Sequence, residues 1–138
     1  RSNMCPSTLI IWDVRNDNAD YPYLRRLIQQ WREVVDNYYG DYYPLTPYST
    51  GSDQWIGWQF DRPEAGEGMV QMFCRTGTMY DSGICKLKGL EPEASYDIHD
   101  FDQEDKINMT GKELAEKGLR IHFRQQPGAA LIMYKKIK

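Results

Sequence analysis

The sequence predicts a mainly β protein: an antiparallel β-sandwich of about seven or eight strands, preceded by one amphipathic helix. Three observations predict it. In the first third, apolar residues recur at steps of three and four, as on one face of a helix. Beyond about residue 50, apolar and polar residues alternate in short runs, as in half-buried strands. Clusters of Gly, Pro, Asp and Ser separate those runs at the spacing of a sandwich. The change of character falls in Gly40–Asp61, GDYYPLTPYSTGSDQWIGWQFD, where Tyr42, Tyr43, Tyr48, Trp55 and Trp58 crowd together.

In chain order, Ser7–Val14 (STLIIWDV) reads as a short apolar strand or buried segment, and RNDNAD after it as a polar turn. Asp20 is an N-cap carboxylate, and Pro22 sits in a first helical turn where its missing N–H costs little. Leu24, Leu27, Ile28, Trp31, Val34, Val35 and Tyr38 then form one apolar stripe, with Arg25, Arg26, Gln29, Gln30, Arg32 and Glu33 opposite. Gly40 is the expected C-cap. A face this wide needs a partner that the preceding residues alone do not supply.

Alternation follows. In Gln54–Phe60, Ile56, Trp58 and Phe60 share one face, with Trp55, Gly57 and Gln59 on the other. Met69–Arg75 alternates again after the turn RPEAGEG. Further strands are expected over Ile84–Leu87, Ser95–Asp100, Lys106–Met109, Leu119–Phe123 and Ala129–Tyr134, with turns at GLEPEA, DFDQED and QQPG. One short helix interrupts them: Thr110 and Glu113 match a capping box, and Gly118 closes it.

Length and charge narrow the function. A chain of 138 residues makes one domain, or a small domain plus a piece of another. Net charge is −3, with Lys and Arg spread along the chain, so the basic patch of a nucleic-acid binder is missing. No apolar run approaches a membrane span. The start, RSNM, lacks the apolar core of a signal peptide, and part of it reads as sequence added ahead of a native segment that begins near Met4. The compartment stays open, with a lean to the cytoplasm. Cys5, Cys74 and Cys85 have no zinc spacing and read as buried or free thiols.

Chemistry is sparse. His99 and His122 lie in strand-like segments without the base, nucleophile and orienting acid of a Ser/His or Cys/His system. The acidic run Asp97, Asp100, Asp102, Glu104, Asp105 lacks the spacing of a calcium loop and reads as a solvated hairpin rim. Gly66 and Gly68, or Gly77 and Gly83, have no strand–loop–helix setting for a phosphate, so no cofactor is expected. Asp13 ends an apolar run and reads as a capping or loop residue. Tyr42, Tyr43, Tyr48 and Trp55 are the candidate carbohydrate contacts, as a stacking platform. Against that stands the plainer reading that Trp58 and Phe60 fill the sandwich core while the tyrosines plug the joint with the helix.

Particular phrases carry a family resemblance. GDYYPLTPYS followed by WIGWQFDRPEAGEGMVQMF resembles the end of the α-galactosidases of glycoside hydrolase family 36, and YPYLRRLIQQWREVVDNYY resembles that family's last barrel helix. LKGLEPEASYDIHDFD, MTGKELAEKGLRI and PGAALIMYKK resemble its closing strands. The resemblance implies that residues 1–50 end a (β/α)8 catalytic barrel and that 51–138 form the C-terminal antiparallel domain. It implies a non-catalytic accessory domain whose parent cleaves α-galactosides by a retaining, two-carboxylate, cofactor-free mechanism. Nothing here matches the family's catalytic aspartates, so no catalytic, cofactor-binding or metal residue is carried over. The implied partners are the parent barrel in cis, a second copy in a homo-oligomer, and an oligosaccharide. The alternatives are a carbohydrate-binding module and a protein-interaction module using the helix face.

The stripe around Leu27, Trp31 and Val35 should avoid water, so the isolated chain is predicted to self-associate weakly. Sedimentation velocity checks this: s-values should rise with concentration, whereas a clean monomer at high concentration counts against it.

Overall fold

The structure is a computed structural model and describes residues 1–8, 15 and 17–137. The segment expected over Ser7–Val14 lies outside that description from residue 9 onward, Asp13 included. The order of elements is α1 (Tyr21–Val34), a 3-10 turn (Val35–Tyr39), β1 (Asp41–Pro44), β2 (Ile56–Arg62), β3 (Glu67–Cys74), β4 (Ser82–Cys85), β5 (Ser95–Asp100), β6 (Ile107–Thr110), α2 (Gly111–Glu116), β7 (Leu119–His122) and β8 (Gly128–Lys136).

Helix α1 begins where the sequence places it. The Asp20 carboxylate accepts the Tyr23 N–H at 2.9 Å, and Pro22 lies in the first turn. Its helical stretch ends where expected, with Gly40 as the C-cap, but the end is built differently. The α-helix stops at Val34 and tightens into the 3-10 turn, and Gly40 is extended (φ −83°, ψ −174°) rather than a left-handed cap. Close approach explains the glycine: a Cβ there would stand 2.2 Å from the Asp61 carbonyl oxygen. The chain thus leaves the helix directly against β2.

All strand pairs are antiparallel, in a six-stranded sheet of order β1-β2-β3-β8-β5-β6 and a two-stranded sheet β4-β7. The six-stranded sheet is the middle layer. On one face, Val70, Met72, Cys74, Ile132 and Tyr134 meet Cys85, Leu87, Leu119 and Ile121 of the second layer and Leu114 of α2. On the other face, Met69 and Leu131 meet Val34 of α1. Strands β3 and β8 are therefore covered on both sides, which is why nearly every residue of Gly68–Met72 and Ala130–Ile132 is buried. The expected capping box at α2 is present, with the Glu113 N–H on Thr110 Oγ1 at 3.1 Å and the Thr110 N–H on Glu113 Oε2 at 3.1 Å. Gly118 follows it with φ +81°.

One face assignment is corrected. Trp58 and Phe60 do not fill the core between the sheets; they lie on the helix side. Phe60 meets the Tyr38 ring edge-on at 5.0 Å, and Trp58 Nε1 donates to Gln71 Oε1 at 2.8 Å. Gln71 Oε1 also accepts from the Tyr38 hydroxyl at 3.1 Å, tying the 3-10 turn to the sheet. The inward face of β2 belongs to Gly57, Gln59 and Asp61, small or polar residues that hydrophobic alternation does not select.

Those inward residues build the joint between layers. Asp61, Gly68 and Tyr134 stand side by side in the register of β2, β3 and β8. Tyr134 lays its ring over Gly68 and donates its hydroxyl to Asp61 Oδ1 at 2.6 Å. The fully buried Gln59 gives its amide to the Tyr134 hydroxyl at 2.8 Å and to the Lys88 carbonyl at 2.7 Å. Its own oxygen accepts the Lys88 N–H at 2.8 Å. One side chain thus pairs with both backbone groups of the segment that leaves the second layer, as a neighbouring strand does.

Gly68→Ala sets a Cβ 2.2 Å from the Tyr134 hydroxyl oxygen and 2.5 Å from the Phe60 carbonyl oxygen. Overfilling of this kind costs about 1–3 kcal/mol, and displacing the hydroxyl adds the loss of two buried hydrogen bonds at about 1 kcal/mol each. Urea denaturation should show an unfolding free energy lowered by at least the first amount, with the midpoint shifted down accordingly; an unchanged midpoint contradicts the packing described.

Candidate functional site

The four candidate carbohydrate contacts do not share one surface. Tyr42 and Tyr43 are successive residues of β1 and leave opposite faces. Tyr42 lies opposite Phe60 on the helix side, ring centroids 5.4 Å apart, and is 56% exposed. Tyr43 lies opposite Gln59, on the side where Gly89 approaches its ring. Tyr48 is exposed in the connection to β2. Trp55 is half-buried against the core between the sheets, edge-on to Phe123 at 5.0 Å, with Nε1 donating to the Tyr80 carbonyl at 3.2 Å.

Strand pairing brings together one cluster that local sequence does not show. Ser82 and His122 face each other across β4 and β7, with Oγ 2.9 Å from Nδ1, and Ser82 donates to Asp81 Oδ1 at 2.9 Å. Serine and acid both lie at the Nδ1 side of the ring, and the serine proton is committed to the acid. A nucleophilic serine needs its acid on the far ring nitrogen, so this is a surface hydrogen-bond chain. His99 stacks edge-on against Phe101 at 4.8 Å. In the acidic run, Asp100 Oδ1 accepts the Asp102 N–H and Asp102 holds Arg1. Among the described residues no three His, Cys, Asp or Glu side chains converge as a metal site.

The strongest buried electrostatics are at the joint. Burial pushes the Asp61 carboxyl up, the hydrogen bond from Tyr134 opposes it, and the Asp41 and Glu64 charges add to it. The Tyr134 hydroxyl is held far above its ordinary range by burial and by Asp61. Both core thiols are raised by burial, Cys85 to about 12, so they are neutral packing groups. All three cysteines are free.

A large concavity lies elsewhere, between the first half of α1 and the sheet. The second half of the helix seats Gln30 and Val34, and the turn seats Asn37. Toward its start, a cleft of about 1250 Å³ opens between Tyr23, Arg26 and Leu27 on one side and Ile56, Trp58 and Phe73 on the other. Arg1, Arg75 and Arg124 complete its rim. Among the described residues its single acid is Asp102, held by Arg1, whose Nη2 donates to Oδ1 at 2.8 Å. No local motif marks this site, because its residues come from six separate segments.

With the geometry in place, comparison with known proteins gives its lineage. Residues 55–134 match the model of the glycosyl hydrolase family 36 C-terminal domain. The chain belongs to that family, and the domain is an accessory one rather than the catalytic one. No curated protein sequence matches the chain. Among solved structures it is similar to the GH36 α-galactosidase AgaA of Geobacillus stearothermophilus, with a TM-score of 0.71 at 18% identity over 89% of this chain and 17% of that one. AgaB of the same organism gives 0.66 at 20%, over 84% and 16%. The α-galactosidase of Lactobacillus brevis gives 0.67 at 15%, over 91% and 18%. At these identities the likeness is one of fold, and the chain spans about one sixth of each of these relatives.

The raised carboxyl at Asp61 makes a pH prediction. A folded carboxyl with a raised pKa holds its proton where the unfolded chain has released it. Stability is then greatest below the unfolded pKa of 3.8 and falls as pH rises through the window up to the folded value. Relative to Asp61→Asn, the wild type should lose stability above that point with a slope of at most about 1.4 kcal/mol per pH unit, the limit for one proton. Parallel stability–pH curves for the two proteins would refute this.

Proposed function

We propose that this chain is the C-terminal portion of an α-galactosidase-like glycoside hydrolase, with residues 1–50 holding the end of the catalytic barrel and a connector whose strand β1 pairs into the sheet, and 51–138 forming the accessory domain that braces the barrel. The parent would cleave α-galactosides through two barrel carboxylates, one acting as acid and one as nucleophile. The accessory domain contributes a seat for the barrel's last helix and takes no part in the chemistry.

The observation that carries this reading is the double face of α1. One stripe, Leu27, Gln30 and Val34, turns toward the sheet, and Gln30 and Val34 are buried there. A second stripe, Leu24, Ile28, Trp31 and Val35, lies about a quarter turn round the helix and is only half covered. A helix of an isolated sandwich needs one apolar stripe; a helix shared between two bodies needs two. The family match begins at residue 55, beyond this helix, as expected of an element that belongs to the neighbouring body.

Hydrolysis of a chromogenic α-galactoside tests the assignment. The longer polypeptide that carries this domain should turn it over, and the 138-residue chain should not. Turnover by the 138-residue chain would contradict the reading. So would saturable raffinose binding by that chain, lost in Trp55→Ala or Tyr42→Ala, since it would make the domain a carbohydrate-binding module.

A further inference from the structure

Strand β6 closes the order β1-β2-β3-β8-β5-β6 and pairs with β5 alone, so among the described residues its outer edge is free. Its sequence is INMT. Asn108 is followed two residues on by Thr110, with Met109 and no proline between them. That triplet is the acceptor motif for an N-linked oligosaccharide. Of the five asparagines in the chain, Asn108 alone has a serine or threonine at that spacing. A bare triplet carries little by itself, and the surroundings decide what it can do.

An oligosaccharide is bulky and strongly hydrated, so the fold tolerates it only on a side chain that leads straight to solvent. Asn108 is exposed, and so is every residue of the approach from Asp102 to Ile107. Asn37, by contrast, is sealed under the 3-10 turn. Thr110 sets the order of events. Its hydroxyl accepts the Glu113 N–H at 3.1 Å and donates to Glu113 Oε2 at 3.2 Å, closing the cap of α2. The hydroxyl is the part of the motif that a transferase must read, and in the folded domain it is committed. The asparagine is therefore an acceptor before α2 closes, and the folded domain then carries the product without displacing any buried group.

We propose that Asn108 is an acceptor site for an N-linked oligosaccharide, transferred from a lipid-linked diphosphate donor. In the transfer, Asn108 Nδ2 bonds to C1 of the first sugar, and the bond from C1 to the diphosphate oxygen breaks. The lipid diphosphate leaves with the electron pair, and one amide proton passes to a base of the transferase, with no oxidation or reduction. The attached glycan stands at the outer edge of β6, beside unpaired backbone groups and an Ile107 that is 48% exposed. Such an edge is a template for pairing with another chain, and a hydrated branch there keeps a second strand away.

Peptide mass spectrometry on the full-length polypeptide that carries this domain, secreted from a yeast host, tests the proposal. Trypsin cuts after Lys106 and Lys112, so the peptide Ile107–Lys112 isolates the site. In the wild type that peptide should carry an oligosaccharide. Peptide:N-glycosidase in heavy-oxygen water should remove it and leave a labelled aspartate at position 108. Asn108→Gln should abolish the modification, and Thr110→Ser, which keeps the hydroxyl for both the motif and the cap, should retain it. The glycosylated protein should melt at the same temperature as Asn108→Gln and aggregate more slowly when held near that temperature. A bare Ile107–Lys112 peptide from the secreted wild type overturns the proposal. So does modification of that peptide persisting in Asn108→Gln, or a glycosylated form that melts below Asn108→Gln, since the folded domain then does not accommodate the glycan. None of these outcomes bears on the accessory-domain reading.

Discussion

The structure hangs on a buried polar joint. Tyr134 crosses Gly68 to reach Asp61, and Gln59 closes the set by pairing with the backbone of Lys88. Three strands and the second layer meet at these few atoms. Burying an amide, a phenol and a carboxyl costs several kcal/mol unless each is satisfied. Here the Gln59 amide has a partner at each of its polar atoms, and the hydroxyl both donates and accepts. An apolar core of equal volume would hold the layers together without fixing their register; directional bonds to Lys88 fix it.

Once β2, β3 and β8 are locked by that joint, their other face is committed. Met69 and Leu131 are fully buried and alternate with residues of the inter-sheet core, so they must point away from it. Something apolar must cover them, and Val34 of α1 does. Gly40 then brings the chain onto β2 with no room for a side chain. The helix is therefore held at its C-terminal end and stands off at its start, which opens the cleft. Fold, helix seat and cleft follow from one another in that order.

Much of this was legible in the sequence. The capped start at Asp20, the capping box at Thr110–Glu113 and strand β5 at Ser95–Asp100 rest on local chemistry, and local chemistry is what a sequence displays. The helix end is legible in place but not in geometry: a glycine reads as a left-handed cap, whereas Gly40 is needed because Asp61 is near, a contact made across the fold. The inward face of β2 is not legible, because Trp58 and Phe60 are more apolar than Gln59 and Asp61, and the polar pair become inward residues only through Tyr134 and Lys88. The Ser82–His122 contact and the arginine cleft depend on strand register and on helix placement, and neither is written at short range.

Hydrogen exchange on the 138-residue chain tests the central claim, that the end of α1 and its turn are one cooperative unit with the middle sheet. Amides of residues 34–40 should be protected to the same degree as those of β3 and β8, with protection declining toward Tyr21. Rapid exchange over the whole of residues 21–40, beside a fully protected β3 and β8, would contradict it.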